Sequence, residues 1–296
     1  MEKLKIHSAG PAFSRIVYGV WRWNDKEQTT KDCETLLNTC LENGIDTIDH
    51  ADIYGNFSNE ELFGKVIQHN TALSKQLKIV TKCGIQFNCE KRPEIRAKHY
   101  NYSAAHIVTS VENSLQNLHI EHIDLLLLHR PSPMLNADEV AETLENLVKS
   151  GKVGYVGVSN FSPSQFELLQ SRLSIPLVNN QIEVNLNHLE PLTDGAIDHL
   201  YKNGIKPMVW SPLAGGSLFK GETDLSKKLK EIADKYTVDR DVMALAWLLN
   251  HPVQMIPVIG TNKSERIVKA TQAVDVKFDI QDWFALYEAS LGHEVA

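Results

Sequence analysis

The chain is 296 residues long, with 30 Lys and Arg against 37 Asp and Glu and a formal net charge of −7. No long basic run offsets that acidity, which excludes the electrostatic footprint of a protein that tracks a phosphate backbone, so nucleic acid is not an expected partner. Nowhere do apolar residues run long enough to cross a bilayer, residues 1–10 lack a signal-peptide core, and four cysteines are too few for a disulfide scaffold; the expected location is cytoplasmic, with no membrane partner.

From about residue 16 onward, short β-like runs alternate with amphipathic helical stretches, the rhythm of repeated βα units. Residues 3–14 come first and read as a hairpin covering the bottom of the βα array. The first run, 16–20, leads through Trp21 and Trp23 to a helix at 28–43, where Cys33 and Cys40 stand about 10 Å apart, too far to bridge. The second run, 45–49, ends in Asp49; Ser58 with Glu61 then makes a capping-box pattern for a helix at 57–69. The third, 77–82, ends in Lys82 and leads into a loop, 84–102, with Cys83 and Cys89 taken as loop thiols of no catalytic consequence. After a helix at 103–118, His119 and His122 have ligand-like spacing, but they precede a strand rather than follow one. They read as surface residues, and no metal site is expected.

The fourth run, 123–129, ends in His129 and is followed by a helix at 136–149. The fifth, 153–159, ends in Ser159, and Ser162-Pro163 sets an N-cap residue ahead of a proline at the first position of a helix at 163–171. The sixth, 177–182, precedes a helix at 191–203. The seventh, 206–210, ends in Trp210 and precedes a segment around 215–236 with its own short helix, then a helix at 240–250. The eighth, 255–259, is followed by helices at 263–274 and 279–291. Eight strands with eight following helices predict an α/β fold, a (β/α)8 TIM barrel with an N-terminal β-hairpin and extra helices, whereas a doubly wound sheet would show a G-x-G-x-x-G fingerprint that is missing here. No linker or internal repeat divides the chain, so residues 1–296 are expected to form one domain.

In such a barrel the C-terminal strand ends converge on one face, which brings Asp49, Tyr54, Lys82 and His129 into one pocket. Each has an ordinary reading alone: a helix cap, a solvated lysine, a core histidine. Together they make proton-transfer machinery. A phenol is a poor acid, with an unperturbed pKa of about 10, but an ammonium about 4 Å away favours its phenolate by roughly 4 kcal/mol, or about three pKa units, less what burial adds back. Lys82 is the candidate cation, Asp49 the carboxylate that holds it, and His129 a donor that orients a carbonyl oxygen toward Tyr54.

The segment Asp49-His50-Ala51-Asp52-Ile53-Tyr54-Gly55, with Glu60 to Gly64 after it, resembles the D-T-A-x-x-Y-G…E…G signature of the aldo-keto reductase superfamily. The resemblance extends through Val80 to Gly84, Ile123 to His129, Gly151-Lys152-Val153, Gly157 to Phe161, Asn180 to Glu183 and Trp210 to Leu213, covering about residues 12–275. It implies that Asp49, Tyr54, Lys82 and His129 form a catalytic tetrad with the tyrosine as general acid. His50 replaces the usual Thr, which makes the chain most similar to a bacterial oxidoreductase branch with His after the catalytic Asp.

Trp210 can offer an aromatic platform to a hydride donor, and Ser159, Asn160 and Gln181 end strands with hydrogen-bonding groups. The resemblance implies that the nicotinamide carboxamide lies on that polar set with its ring on Trp210. The small-residue loop of Ser211, Pro212, Leu213, Ala214 and Gly215 can approach a pyrophosphate closely. Gly19, Trp21, Asp49, Ile259, Gly260 and Thr261 complete the expected cofactor contacts. Lys263 and Arg266 open the eighth helix, where the macrodipole disfavours cations, so an anion is expected there; the resemblance implies the adenosine 2′-phosphate, hence NADPH (NADP+) in preference to NADH. Lys269 and Ala270 stand where the family often has Glu-Asn.

Trp21, Trp23, Tyr54 and His129 are expected to wall the substrate pocket. The short loop 130–136 and the five residues after Leu291 suggest an open pocket for a small carbonyl substrate. Lys91, Arg92, Arg96, Lys98 and His99 read as a solvated loop beside it. The expected activity is NADPH-dependent reduction of aldehydes or ketones by a monomer or weak homo-oligomer. Two alternatives stand beside it. One is an NADP-binding regulatory subunit of the potassium-channel β type; the other is a glycosidase using Asp49 and Glu183, which leaves Lys82, Tyr54 and Trp210 without roles.

Overall fold

The computed structural model describes residues 1–26, 28–68 and 70–296. Strands β1 (Lys3–Lys5) and β2 (Ala12–Ser14) form an antiparallel hairpin. Strands β3 (Val17–Gly19), β4 (Thr47–Asp49) and β5 (Lys78–Cys83) follow, and the loop after β5 carries a small antiparallel pair, β6 (Ile85–Gln86) and β7 (His99–Tyr100), that the sequence pattern did not reveal. Then come β8 (Ile123–Leu128), β9 (Val153–Ser159), β10 (Leu177–Glu183), β11 (Met208–Trp210) and β12 (Ile256–Ile259). The eight strands β3, β4, β5, β8, β9, β10, β11 and β12 close in that order into a parallel barrel, as the βα rhythm predicts.

Because side chains alternate along a strand, every second residue points inward. Val17, Val80, Leu125, Leu127, Val178, Met208, Ile256 and Val258 fill the barrel, joined by Ile6 and Phe13 from the hairpin. The hairpin therefore plugs one end, and the polar strand-end residues are left to the other.

The helices are α1 (Thr30–Glu42), α2 (Tyr54–Phe57), α3 (Asn59–Gln68), α4 (Thr71–Ser74), α5 (Ala104–Leu118), α6 (Ala137–Lys149), α7 (Pro163–Gln170), α8 (Ala196–Lys202), α9 (Asp224–Lys235), α10 (Arg240–Leu249), α11 (Ser264–Thr271) and α12 (Ile280–Leu291). Ser162 caps α7 with Gln165 completing a capping box. The box expected at Ser58 and Glu61 does not form. Gly55, Asn56 and Phe57 all take left-handed φ of 58°, 54° and 67°, and the Ser58 hydroxyl is used to tie that turn by donating to the Gly55 carbonyl at 2.5 Å. Glu61 instead pairs with Lys65 at 2.8 Å and Lys91 at 3.3 Å. His69, the expected end of that helix, lies outside the described residues.

The helix expected at 191–203 divides into a 3-10 turn at Glu190–Leu192 and α8, broken at Gly195, whose φ is 89°. Cys83 belongs to β5 rather than to the loop, is buried, and has its thiol pushed up by that burial. Gly64 lets α3 approach α5: a Cβ there would stand 1.9 Å from the Asn117 carbonyl oxygen. That close approach brings Glu60, one turn earlier, against Ser114 at 3.0 Å.

Candidate active site

Asp49 is the last residue of β4 and Lys82 the penultimate residue of β5, on the neighbouring strand. His129 follows β8, and Tyr54 begins the short turn after β4. The Lys82 ammonium, 1% exposed, has three partners: it donates to Asp49 Oδ2 at 2.7 Å, to the His50 carbonyl at 2.8 Å and to Tyr54 Oη at 3.0 Å. Asp49 Oδ1 accepts from Gln181 Nε2 at 2.8 Å, which fixes the carboxylate from the far side of the barrel. The His129 ring meets the Tyr54 ring edge-on with centroids 6.0 Å apart. The four side chains expected to converge do lie together.

Burial alone would drive the Lys82 amine toward its neutral form, but Asp49 and Tyr54 hold its pKa above the ordinary lysine value. The expected fall of Tyr54 toward neutrality does not occur. Burial of the phenol comes first and raises its pKa, Asp49 adds to that, and the lowering by Lys82 and Arg130 does not compensate. Tyr54 is therefore a held proton rather than a phenolate. Burial, reinforced by Lys82, Arg130 and Lys98, puts His129 well below the usual imidazole range, so the ring is neutral. Its Nδ1 is enclosed without a partner, which leaves Nε2 as the ring nitrogen open to the site.

His50 is fully buried with neither ring nitrogen partnered, edge-on to Phe63 at 4.5 Å, and burial pushes its pKa down to about 3. It brings no charge to the tetrad; its backbone carbonyl helps to hold Lys82. Beneath the site, Glu60 accepts from Thr81 Oγ1 at 2.6 Å and Ser114 Oγ at 3.0 Å, and burial raises its carboxyl to about 7.

The polar strand ends are already interlinked. Ser159 Oγ donates to the Gln181 carbonyl at 2.8 Å, Asn160 Nδ2 to Ser159 Oγ at 2.7 Å, and Trp210 Nε1 to Asn160 Oδ1 at 2.9 Å. Asn160 itself sits at a φ of 60°. After Trp210, Ser211, Ala214, Gly215 and Gly216 all have positive φ, a tight turn that includes Pro212 and Leu213 and leaves open space around Gly216. Two strands further round, Gly19 is registered against Asp49, and a Cβ there would lie 3.0 Å from Val258. Ile259 ends β12 and Gly260 follows it, where Arg22 donates to the Gly260 carbonyl and Tyr18 to the Thr261 carbonyl.

At the start of α11 no side chain caps the helix. Lys263 and Arg266 are both exposed there, with Lys263 3.9 Å from Glu265. Lys269 is engaged elsewhere, by Asp239 at 2.5 Å and Asp241 at 2.9 Å.

Trp21 is 59% exposed and stands at the mouth, but Trp23 does not wall the pocket. It is fully buried, donates to Tyr18 Oη at 3.0 Å and stacks on Phe63, because the 3-10 turn that begins at Trp23 rotates its ring into the core. The residue that sequence reasoning missed is Arg130, whose guanidinium lies 5.2 Å from the centre of the Trp210 ring. The one available signal was its position directly after His129.

A family model described as "Aldo/keto reductase family" matches residues 15–290. The chain belongs to the aldo/keto reductase family. It is 45% identical to a 6-dehydroglucose reductase of Agrobacterium fabrum, over 96% of each chain. It is 40% identical both to the oxidoreductase YdhF of Escherichia coli, over 100% of this chain and 99% of that one, and to an uncharacterized oxidoreductase, YcsN, of Bacillus subtilis over 96% of each. A crystal structure of a thermostable aldo-keto reductase with the inhibitor epalrestat superposes with a TM-score of 0.84 at 25% identity, covering 98% of this chain and 100% of that one. This aldo/keto reductase is thus an oxidoreductase of carbonyl compounds, built on the family barrel and dependent on a nicotinamide cofactor. No helix among its described residues is long and apolar enough to cross a membrane.

Proposed function

We propose that this enzyme reduces a small aldehyde or ketone to the alcohol with NADPH, and that Tyr54 supplies the proton. The observation that carries the reading is the enclosed Lys82 ammonium, shared between Asp49 at 2.7 Å and Tyr54 at 3.0 Å. Because Lys82 donates to the phenol oxygen, the phenol's own hydrogen is free to be given to a substrate oxygen. The phenolate left behind faces a fixed positive charge that Asp49 keeps in place. Neutral His129 donates from Nε2 to the same carbonyl oxygen and orients it.

The residues present fit a nicotinamide dinucleotide. Trp210 offers a ring face, Asn160 and Gln181 retain hydrogen-bonding capacity beside it, the turn after Ser211 has room for a phosphate to approach backbone, and the uncapped start of α11 suits an anion. When bound, the reduced cofactor supplies the hydride. Lys263 and Arg266 support NADPH over NADH, since two exposed cations at a helix N-terminus call for an anion such as a 2′-phosphate. Gly19, Trp21, Asp49, Ser159, the residues from Ser211 to Gly215, and Ile259, Gly260 and Thr261 complete the site.

His50 supports assigning the enzyme to a bacterial branch with His after the catalytic Asp. Residues 1–296 act as one domain, as a monomer or weak homo-oligomer, and the free cysteines Cys33, Cys40, Cys83 and Cys89 fit a reducing cytoplasm. The reading is tested by offering a panel of aldehydes and ketones with NADPH and NADH in parallel and following loss of reduced-nicotinamide absorbance. Turnover that disappears in Tyr54→Phe separates reduction from a purely regulatory use of the cofactor. A flat response to every compound would contradict the reading.

A further inference from the structure

We infer that Arg130 is a specificity residue, a guanidinium subsite for carbonyl compounds that carry oxygen acceptors beside the carbonyl, either vicinal hydroxyls or a carboxylate. The inference rests on the reductase reading and names the substrate class of the same site. Its basis is topological. Arg130 follows β8, Trp210 ends β11, and β9 and β10 stand between them in the barrel. A contact of 5.2 Å between that guanidinium and the Trp210 ring therefore crosses the mouth, over the strand ends that carry Ser159 and Gln181.

The backbone of Arg130 is clamped: Tyr102 Oη donates to its carbonyl at 2.6 Å and accepts from its N–H at 3.0 Å. The side chain, by contrast, has no hydrogen bond and no carboxylate partner among the described residues, and is only partly buried. A planar fork of five donors, anchored at its base, resting on an aromatic face and otherwise unsatisfied, is built to receive paired oxygens. Its neighbour along the chain is His129, which the reductase reading places on the substrate carbonyl. A substituent adjacent to that carbonyl falls within the fork's reach.

The test measures kcat and KM of wild type and Arg130→Met with NADPH on benzaldehyde, glyceraldehyde and glyoxylate. Arg130 also acts electrostatically on Tyr54 and His129, so the informative quantity is the kcat/KM of each oxygenated substrate divided by that of benzaldehyde, in which a general effect on the tetrad cancels. One or both ratios should fall about ten- to hundredfold, with the loss in KM. Arg130→Lys keeps the charge without the fork: recovery of the glyoxylate ratio alone assigns an anion, and recovery of neither assigns fork recognition of paired oxygens. Ratios that stay unchanged in Arg130→Met while wild type reduces benzaldehyde overturn the subsite and leave the reductase reading standing. Absence of turnover with all three compounds removes both.

Discussion

Lys82 donates to the oxygen of Tyr54 at 3.0 Å while Asp49 holds the same ammonium at 2.7 Å, so the three groups form one buried chain in which only the phenol proton faces outward. In the proposed reaction this arrangement keeps the acid loaded and prepares a counter-charge for the moment it is spent. Its stability depends on neither charge being left alone.

Removing the carboxylate tests that dependence. Asp49→Asn leaves the Lys82 ammonium buried without its ion partner and should cost about 3–5 kcal/mol in urea unfolding, whereas the double variant with Lys82→Met should recover a large part of the loss. Equal losses in the single and double variants would show that the two residues do not act as a pair.

The same pair sets the alkaline limit. The folded pKa of Lys82 lies above its unfolded value, so its contribution is fully present below about pH 10 and is lost as pH rises through the folded value. Thermal unfolding should show a steeper alkaline decline for the wild type than for Lys82→Met. Parallel declines would contradict the sign of the shift.

Glu60 acts in a lower range. Its folded carboxyl lies at about 7 against an ordinary 4.5, so the native state resists its ionisation. Stability is lost as pH rises between those values, by up to roughly 3 kcal/mol. Glu60→Gln keeps one acceptor oxygen for Thr81, its amide N–H can donate to a turned Ser114 hydroxyl, and it should flatten the melting temperature between pH 5 and about 8. An unchanged slope in that variant would place the titration elsewhere.

The proposed preference for NADPH rests on two exposed cations at the start of α11, Lys263 and Arg266. Lys263→Ala with Arg266→Ala should raise the Kd for NADPH by about a hundredfold, at roughly 1.5 kcal/mol for each charge-assisted bond, and leave NADH binding nearly unmoved. Intrinsic fluorescence quenching by each nucleotide gives both constants. A similar loss for NADH would mean that the cations serve something other than the 2′-phosphate.

Much of the barrel and of the residue set at its mouth was legible because both are set by where apolar runs stop. Asp49, Lys82 and Trp210 lie at the C-terminal ends of their strands, and closure alone brings them to one face. What eluded the sequence depended on local rotation or on desolvation. Trp21 and Trp23 look alike in sequence, yet a 3-10 turn leaves one at the mouth and buries the other. The capping pattern at Ser58 was overruled by three consecutive left-handed residues. The proton affinity of Tyr54 is decided by how completely the ring is enclosed, which no spacing encodes. Arg130 gained its place from the barrel's curvature, which turns the end of β8 toward β11 across β9 and β10.

If Tyr54 gives its proton to the substrate, as proposed, Tyr54→Phe removes the acid while leaving the ring in place. With the NADPH Kd retained, kcat for carbonyl reduction should fall by at least about a hundredfold and as much as ten-thousandfold. A Tyr54→Phe enzyme that turns over within severalfold of the wild type, with cofactor bound equally well, would contradict the account.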